Sequence, residues 1–171
     1  MKVAFIGKIC TGKSYISKQL ADIYDCKIFS FATKLKELAT DLFDMQQKDR
    51  KLLQDLGEKM KEINYNVWVN YLMKKIKDEN CVIIDDLRYI NEYNTLKENG
   101  FIIIKLEISK EEQIKRIVKT YPNTYQEHIS RLNHVSETIG DNLHAHLTVK
   151  SDEYALQKIR SFLLFNDNYI V

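Results

Sequence analysis

Apolar residues along this chain gather in two patterns. Short, nearly unbroken runs occur at "KVAFIG" (2–7), "KIFSF" (27–31), "CVIIDDL" (81–87), "FIIIKLEI" (101–108) and "HLTVK" (146–150). Each is the length of a strand, and runs with so little alternation predict strands buried on both faces. Between them the apolar positions fall three and four residues apart. "KSYISKQLADIY" (13–24) carries Ile16, Leu20 and Ile23 on one helical stripe. Leu35, Leu38, Leu42 and Phe43 continue that spacing, and 48–63 presents Leu52, Leu53, Leu56 and Met60. Further helices are predicted over 66–78, 89–99, 109–121 and 152–165. The helix at 109 opens with Ser109 three residues before Glu112, the spacing of a capping box. Strands alternating with helices predict an α/β fold, a parallel sheet of about five strands with helices on both faces.

Bulk properties narrow the field. A chain of 171 residues is expected to form one domain over 1–171 with a sizeable core. No apolar run approaches the roughly 18 residues of a membrane-spanning helix, and the N-terminus lacks the apolar segment of a signal peptide. A net charge of +2 leaves no broad basic surface for duplex nucleic acid, so neither a membrane nor direct nucleic-acid partner is expected. Cys10, Cys26 and Cys81 are an odd number with no C-x-x-C pair, so neither a disulfide framework nor a zinc site is expected. That composition favours a reducing, cytoplasmic setting. Only five glycines and one proline punctuate the chain, which makes each glycine informative.

Two of those glycines frame the principal motif. Residues 7–14, "GKICTGKS", satisfy G-x-x-x-x-G-K-[ST] between the first strand and the first helix. Gly7 ends the strand, and Gly12 lets successive backbone N–H groups turn toward phosphate oxygens. Lys13 reaches the β- and γ-phosphates, and Ser14 offers a hydroxyl to magnesium. The following helix adds the positive end of its dipole. The candidate ATP-binding set is Gly7, Lys8, Thr11, Gly12, Lys13, Ser14, Tyr15 and, from a later helix, Arg116, with Mg2+ as cofactor. The Cys10 side chain reads as incidental, because the backbone makes the contacts.

A second informative stretch is "CVIIDDLRYINE" (81–92). Carboxylates at the end of a buried strand lie where open α/β sheets bind ligands. Asp85 or Asp86 would serve magnesium or an acceptor, or cap a helix. Arg88 would bind an anion.

Four segments then carry a family resemblance: "GKICTGKS", "SFATKLKELATDLF" (30–43), "RKLLQDLGEKMKEINYNVWV" (50–69) and "VIIDDLRYINEYNTLKENGFIIIKL" (82–106), with "HVSE" (134–137) trailing. In this order they resemble the deoxynucleoside monophosphate kinases of phages and large DNA viruses, among the P-loop kinases. The resemblance implies a three-layer P-loop kinase fold with a helical lid at about 110–135. It implies transfer of the ATP γ-phosphate to a dNMP, giving dNDP and ADP, inside the host cell if the source is viral. It places Asp86 and Arg88 in an Asp-x-Arg element on the monophosphate side, and Lys34, Gln54 and Trp68 in or near the acceptor pocket. Lid cations would come from Arg116 and Arg131, so the candidate catalytic set is Lys13, Asp86, Arg88 and Arg131, and the metal set Ser14 and Asp85. Thr33, Lys61 and Asn66 stand where the family often has Asp, Arg and Asp.

Several residues stay open between roles. Trp68 would stack a base or pack, Tyr15 admits a structural role, and His134 with Glu137 would close the lid region or start a turn. His144 and His146 read as surface histidines. A kinase for another small acceptor, of the phosphomevalonate or dephospho-coenzyme A type, and a nucleotide-dependent switch are the alternatives. A homodimer is the default oligomer.

Overall fold

The computed structural model describes residues 1–130, 132 and 139–165. Five strands form one sheet: β1 (Lys2–Ile6), β2 (Lys27–Phe29), β3 (Val82–Ile84), β4 (Ile102–Glu107) and β5 (Leu147–Lys150). Their order is β2-β3-β1-β4-β5, and every adjacent pair is parallel. The helices are α1 (Lys13–Tyr24), α2 (Ala32–Phe43), α3 (Arg50–Ile63), α4 (Val67–Ile76), α5 (Ile90–Glu98), α6 (Lys110–Thr120), α7 (Tyr125–Ser130) and α8 (Ala155–Phe165). A 3₁₀ turn covers Ile139–Asn142.

Successive residues of a strand point to opposite faces, so the apolar central strands feed two cores. Ala4, Ile6, Val82, Ile84 and Ile103 pack with Val69, Leu72 and Ile76 of α4 and Tyr93 and Leu96 of α5. Val3, Phe5, Ile83, Ile102 and Ile104 pack with Ile16 and Leu20 of α1 and Ile159 and Leu163 of α8. The sheet is therefore the middle of three layers. Burial on both faces holds for β1 and β3 and for the first half of β4. It fails at the two edges, where most positions of β2 and half of those of β5 are exposed.

Helix ends follow local chemistry. Ser109 Oγ accepts from the Glu112 amide at 3.2 Å, so the predicted cap forms. The Glu112 carboxylate turns to Arg116 instead, at 3.0 Å. Asp49 caps α3 by accepting from the Leu52 amide at 3.0 Å. Asp25 ends α1 in the left-handed region, at φ 52°, and releases the chain into β2.

One expectation is corrected. Cys26 and Cys81 are joined by a disulfide, with Cα atoms 4.6 Å apart. They immediately precede β2 and β3, whose first residues Lys27 and Val82 are register partners. Cysteine spacing along the chain does not reveal this, because parallel neighbours in a sheet are brought together by the crossover between them. Cys10 takes no part in a disulfide among the described residues.

Candidate active site

The loop after β1 is shaped by its two glycines. A Cβ on Gly7 would lie 2.8 Å from Thr11 Oγ1 and 2.9 Å from the Leu106 carbonyl, so no side chain fits there. Gly12 sits at φ 86°, which side-chain-bearing residues rarely adopt. Cys10 is also left-handed, at φ 61°. Thr11 is 1% exposed, and its hydroxyl donates to the Lys8 carbonyl at 2.9 Å. Lys13 Nζ donates to the carbonyls of Gly7 and, at 2.9 Å, Lys8. The ammonium thus spans the mouth of the loop. Tyr15 points outward, 67% exposed, and its hydroxyl accepts from Gln19.

The two carboxylates after β3 have separate surroundings. Asp85 Oδ2 accepts from Ser14 Oγ at 2.9 Å, which joins the loop to the end of the neighbouring strand. Burial pushes the Asp85 carboxyl up, and Asp86 adds to that shift, while the Ser14 hydrogen bond and Lys13 oppose it. A hydroxyl beside a carboxylate is a hard oxygen donor pair, and it fits magnesium.

Asp86 turns the other way. Its Oδ1 accepts from the Phe31 amide at 2.9 Å, and its Oδ2 accepts from the Ala32 amide at 3.0 Å and from Ser30 Oγ. It thereby caps the start of α2, a helix distant in sequence, instead of the helix that follows it.

Arg88 is half-buried and lines a cavity of about 200 Å³ beside the loop. Gly7, Lys8 and Thr11 form one wall, Lys105 and Glu107 of β4 another, and Gly140 closes it. The side chain of Lys105 is only 14% exposed and pairs with Glu107 at 3.7 Å. The backbone around Arg88 is fixed by Glu92, whose Oε2 accepts from the amides of Arg88 and Tyr89 at 2.9 and 3.0 Å. Burial pushes the Glu92 carboxyl up to about 7, despite those two hydrogen bonds. Lys61 lies over the Tyr89 ring, 3.7 Å from its centroid, so this cation faces an aromatic ring next to Arg88.

Lys34, Gln54 and Trp68 do not line this cavity. Lys34 pairs with Glu37 at 3.1 Å, and Gln54 donates to Glu58 at 3.3 Å. Trp68 is 7% exposed, and its indole N–H donates to the Gly57 carbonyl at 3.3 Å, which is the environment of a packed side chain. Arg131, His134 and Glu137 lie outside the described residues. The lid region contains α6 and α7 as far as it is described, with Tyr121 stacked on His128 at 3.8 Å between ring centroids. His146 Nδ1 accepts from the Ile103 amide at 2.9 Å and so ties the approach to β5 to β4.

Arg116 reaches the loop. Its Nη1 donates to Ser151 Oγ at 2.7 Å, and its Nη2 donates to the Ser151 carbonyl at 2.8 Å. Ser151 in turn donates to the Thr11 carbonyl at 2.6 Å. The sequence pattern singles out Arg116 but not Ser30, Glu92, Gln113 or Ser151, all ordinary polar residues. Lys105 does leave a trace: it is the first of two charges, with Glu107, inside the otherwise apolar "FIIIKLEI".

The strand order, the loop and the Ser14–Asp85 contact define a P-loop protein of the kinase fold. The chain belongs to the family described as AAA domain, whose profile matches residues 3–147. No curated protein matches it. Solved structures with a similar fold include shikimate kinase from Aquifex aeolicus, 17% identical with a TM-score of 0.58, covering 98% of this chain and 99% of that one. An uncharacterized protein from Eubacterium ventriosum has 16% identity and a TM-score of 0.61, with coverage of 99% and 97%. A gluconokinase from Sinorhizobium meliloti has 11% identity and a TM-score of 0.56, with coverage of 96% and 95%.

Proposed function

We propose that the chain is a phosphotransferase that moves the γ-phosphoryl group of ATP to a deoxynucleoside monophosphate. The observation that carries this reading is the glycine-framed loop with Ser14 Oγ set against Asp85. The family resemblance of the segments around it supports the dNMP as acceptor. In the reaction, an oxygen of the acceptor phosphate attacks the γ-phosphorus, the bond to the β,γ-bridging oxygen breaks, and ADP leaves. No protein base is needed, because a nucleotide phosphate is already an oxyanion near neutral pH.

Gly7, Lys8, Thr11, Gly12, Lys13, Ser14, Tyr15 and Arg116 form the proposed ATP site. The loop amides and Lys13 orient the triphosphate and offset charge that spreads over the transferring group. Ser14 and Asp85 would hold the magnesium ion, which when bound neutralises β- and γ-phosphate charge. Arg88 binds the acceptor phosphate, helped by Lys105 and Lys8 across the same cavity. Asp86 acts by fixing the start of α2, and Lys34, Gln54 and Trp68 shape the acceptor side from α2, α3 and α4. Arg131 is proposed as a lid cation over the transferring phosphate. One domain over 1–171, with a lid at 110–135, completes the proposal. Small molecules are its partners, and a homodimer goes with it; the Cys26–Cys81 disulfide removes the cysteine-based argument for a reducing, cytoplasmic setting.

The test is ADP production from Mg·ATP with each dNMP, each NMP, shikimate and gluconate in turn. We expect turnover with one or more dNMPs. Turnover confined to shikimate or gluconate would overturn the acceptor assignment, and nucleotide binding with no transfer to any acceptor would favour a switch. Arg88→Ala should raise the KM for the acceptor by about 10- to 100-fold, the scale of a lost charge-assisted hydrogen bond. An unchanged KM would remove Arg88 from the acceptor site.

A further inference from the structure

A loop that turns its amides inward around phosphate must turn carbonyls outward, and those carbonyls need donors of their own. Three consecutive carbonyls of this loop meet side chains from elsewhere in the fold. Gln113 Nε2, on α6, donates to the Ile9 carbonyl at 2.9 Å. Arg116 Nη1, one turn further along, makes a longer contact of 3.5 Å with the Cys10 carbonyl. Ser151 Oγ, just after β5, donates to the Thr11 carbonyl at 2.6 Å while accepting from Arg116. Ser151 is itself anchored, because its amide donates to the Glu107 carbonyl at 2.7 Å.

We propose that Gln113 and Ser151, with Arg116 linking them, are positioning residues that hold the 9–11 carbonyls outward and so keep the phosphate cradle formed before any nucleotide arrives. Two further features point the same way. Cys10 is a non-glycine residue at φ 61°, a conformation disfavoured for L-residues that persists only where the surroundings hold it. Gln113 is a polar side chain only 3% exposed, and its amide is directed at the loop. The donors come from α6 and from the segment between β5 and α8, so the lid-side helix and the sheet edge grip the loop together. Ser14 and Asp85 act at the other end of the loop and take no part in this brace.

The cradle's use rests on the nucleotide reading above, so the test has one arm that does not depend on it. Amide hydrogen exchange of residues 8–12 is measured in nucleotide-free wild type, Ser151→Ala, Ser151→Thr and Gln113→Leu, with β1 and β4 amides as internal controls for global folding. Ser151→Ala and Gln113→Leu should speed loop exchange about tenfold, the effect of one lost hydrogen bond, and leave the controls unchanged. Ser151→Thr, which keeps the hydroxyl, should restore the wild-type rate. Equal loop exchange in all four proteins would overturn the brace, whether or not ATP binds. In the second arm, Ser151→Ala should weaken Mg·ATP binding by about fivefold to tenfold, and Ser151→Thr should recover it. Faster loop exchange with unchanged affinity would overturn the claim that the brace serves ligand binding. Slow wild-type loop exchange with no Mg·ATP uptake would retain the brace and count against the nucleotide reading alone.

Discussion

Glu92 gives a prediction whose size can be worked out from its surroundings. Its carboxyl moves from an ordinary 4.5 to about 7 on folding, chiefly because burial removes water from the charged form. Asp86 raises it further, while the Arg88 and Tyr89 amides and Lys61 oppose the shift. Below pH 4.5 the group is protonated in both folded and unfolded chains and adds no pH dependence. Between 4.5 and 7 the unfolded chain releases its proton and the folded chain retains it. The folded state then binds more protons, so stability falls as pH rises, and the decline ends above 7 where both forms are ionised. A shift of this size corresponds to about 3 kcal/mol in all. Glu92→Gln removes the titration, while its amide oxygen can still accept from the Arg88 and Tyr89 amides. The assay is urea unfolding of both proteins at intervals from pH 4.5 to 8. The stability of wild type relative to Glu92→Gln should drop by about 3 kcal/mol over that range and then level off. A difference that stays flat, or grows in favour of wild type with rising pH, would refute the reasoning.

Other outcomes follow from the same geometry. Lys13→Ala should lower turnover by roughly 10²–10³-fold, the scale for losing one preorganised transition-state donor, with little change in melting temperature. Asp86→Ala removes three acceptor contacts at the start of α2 and should cost about 2–4 kcal/mol in chemical denaturation. Its activity loss should then track unfolding, and a stable but inactive variant would give Asp86 a chemical role instead. Reduction of the Cys26–Cys81 bond, which closes a sequence separation of 55 residues, should lower stability by up to about 4 kcal/mol. Cys26→Ser should lose that same increment and no longer respond to reductant.

The layered fold was legible because its signals are local. The spacing of Ile16 and Leu20 after a glycine-rich loop predicts a helix at 13–24, and α1 has those bounds. The apolar runs predict five strands buried on both faces, and β1, β3 and β4, in the centre of the sheet, are the ones that meet this expectation best. The edges were harder to read: "KIFSF" looks nearly as apolar as a central strand until the pairing leaves one side uncovered, whereas "HLTVK" alternates apolar and polar residues. The phosphate loop was equally legible, because its glycines, lysine and serine are contiguous. What sequence cannot display is contact between distant segments. Asp85 and Asp86 are adjacent, yet one faces Ser14 and the other holds α2, a division created by the strand end that carries them. Ser151 is 140 residues from its Thr11 partner, and no periodicity marks it. Cys26 and Cys81 illustrate the same point, as their proximity arises from strand pairing.

The central claim is that the loop at residues 7–14 grips a nucleoside triphosphate so that its terminal phosphate can be transferred. Isothermal titration of the folded protein with Mg·ATP tests it most directly. The account predicts saturable uptake with a Kd below about 1 mM, strongly weakened in Lys13→Ala. Folded wild type that takes up no Mg·ATP at millimolar concentration would contradict it.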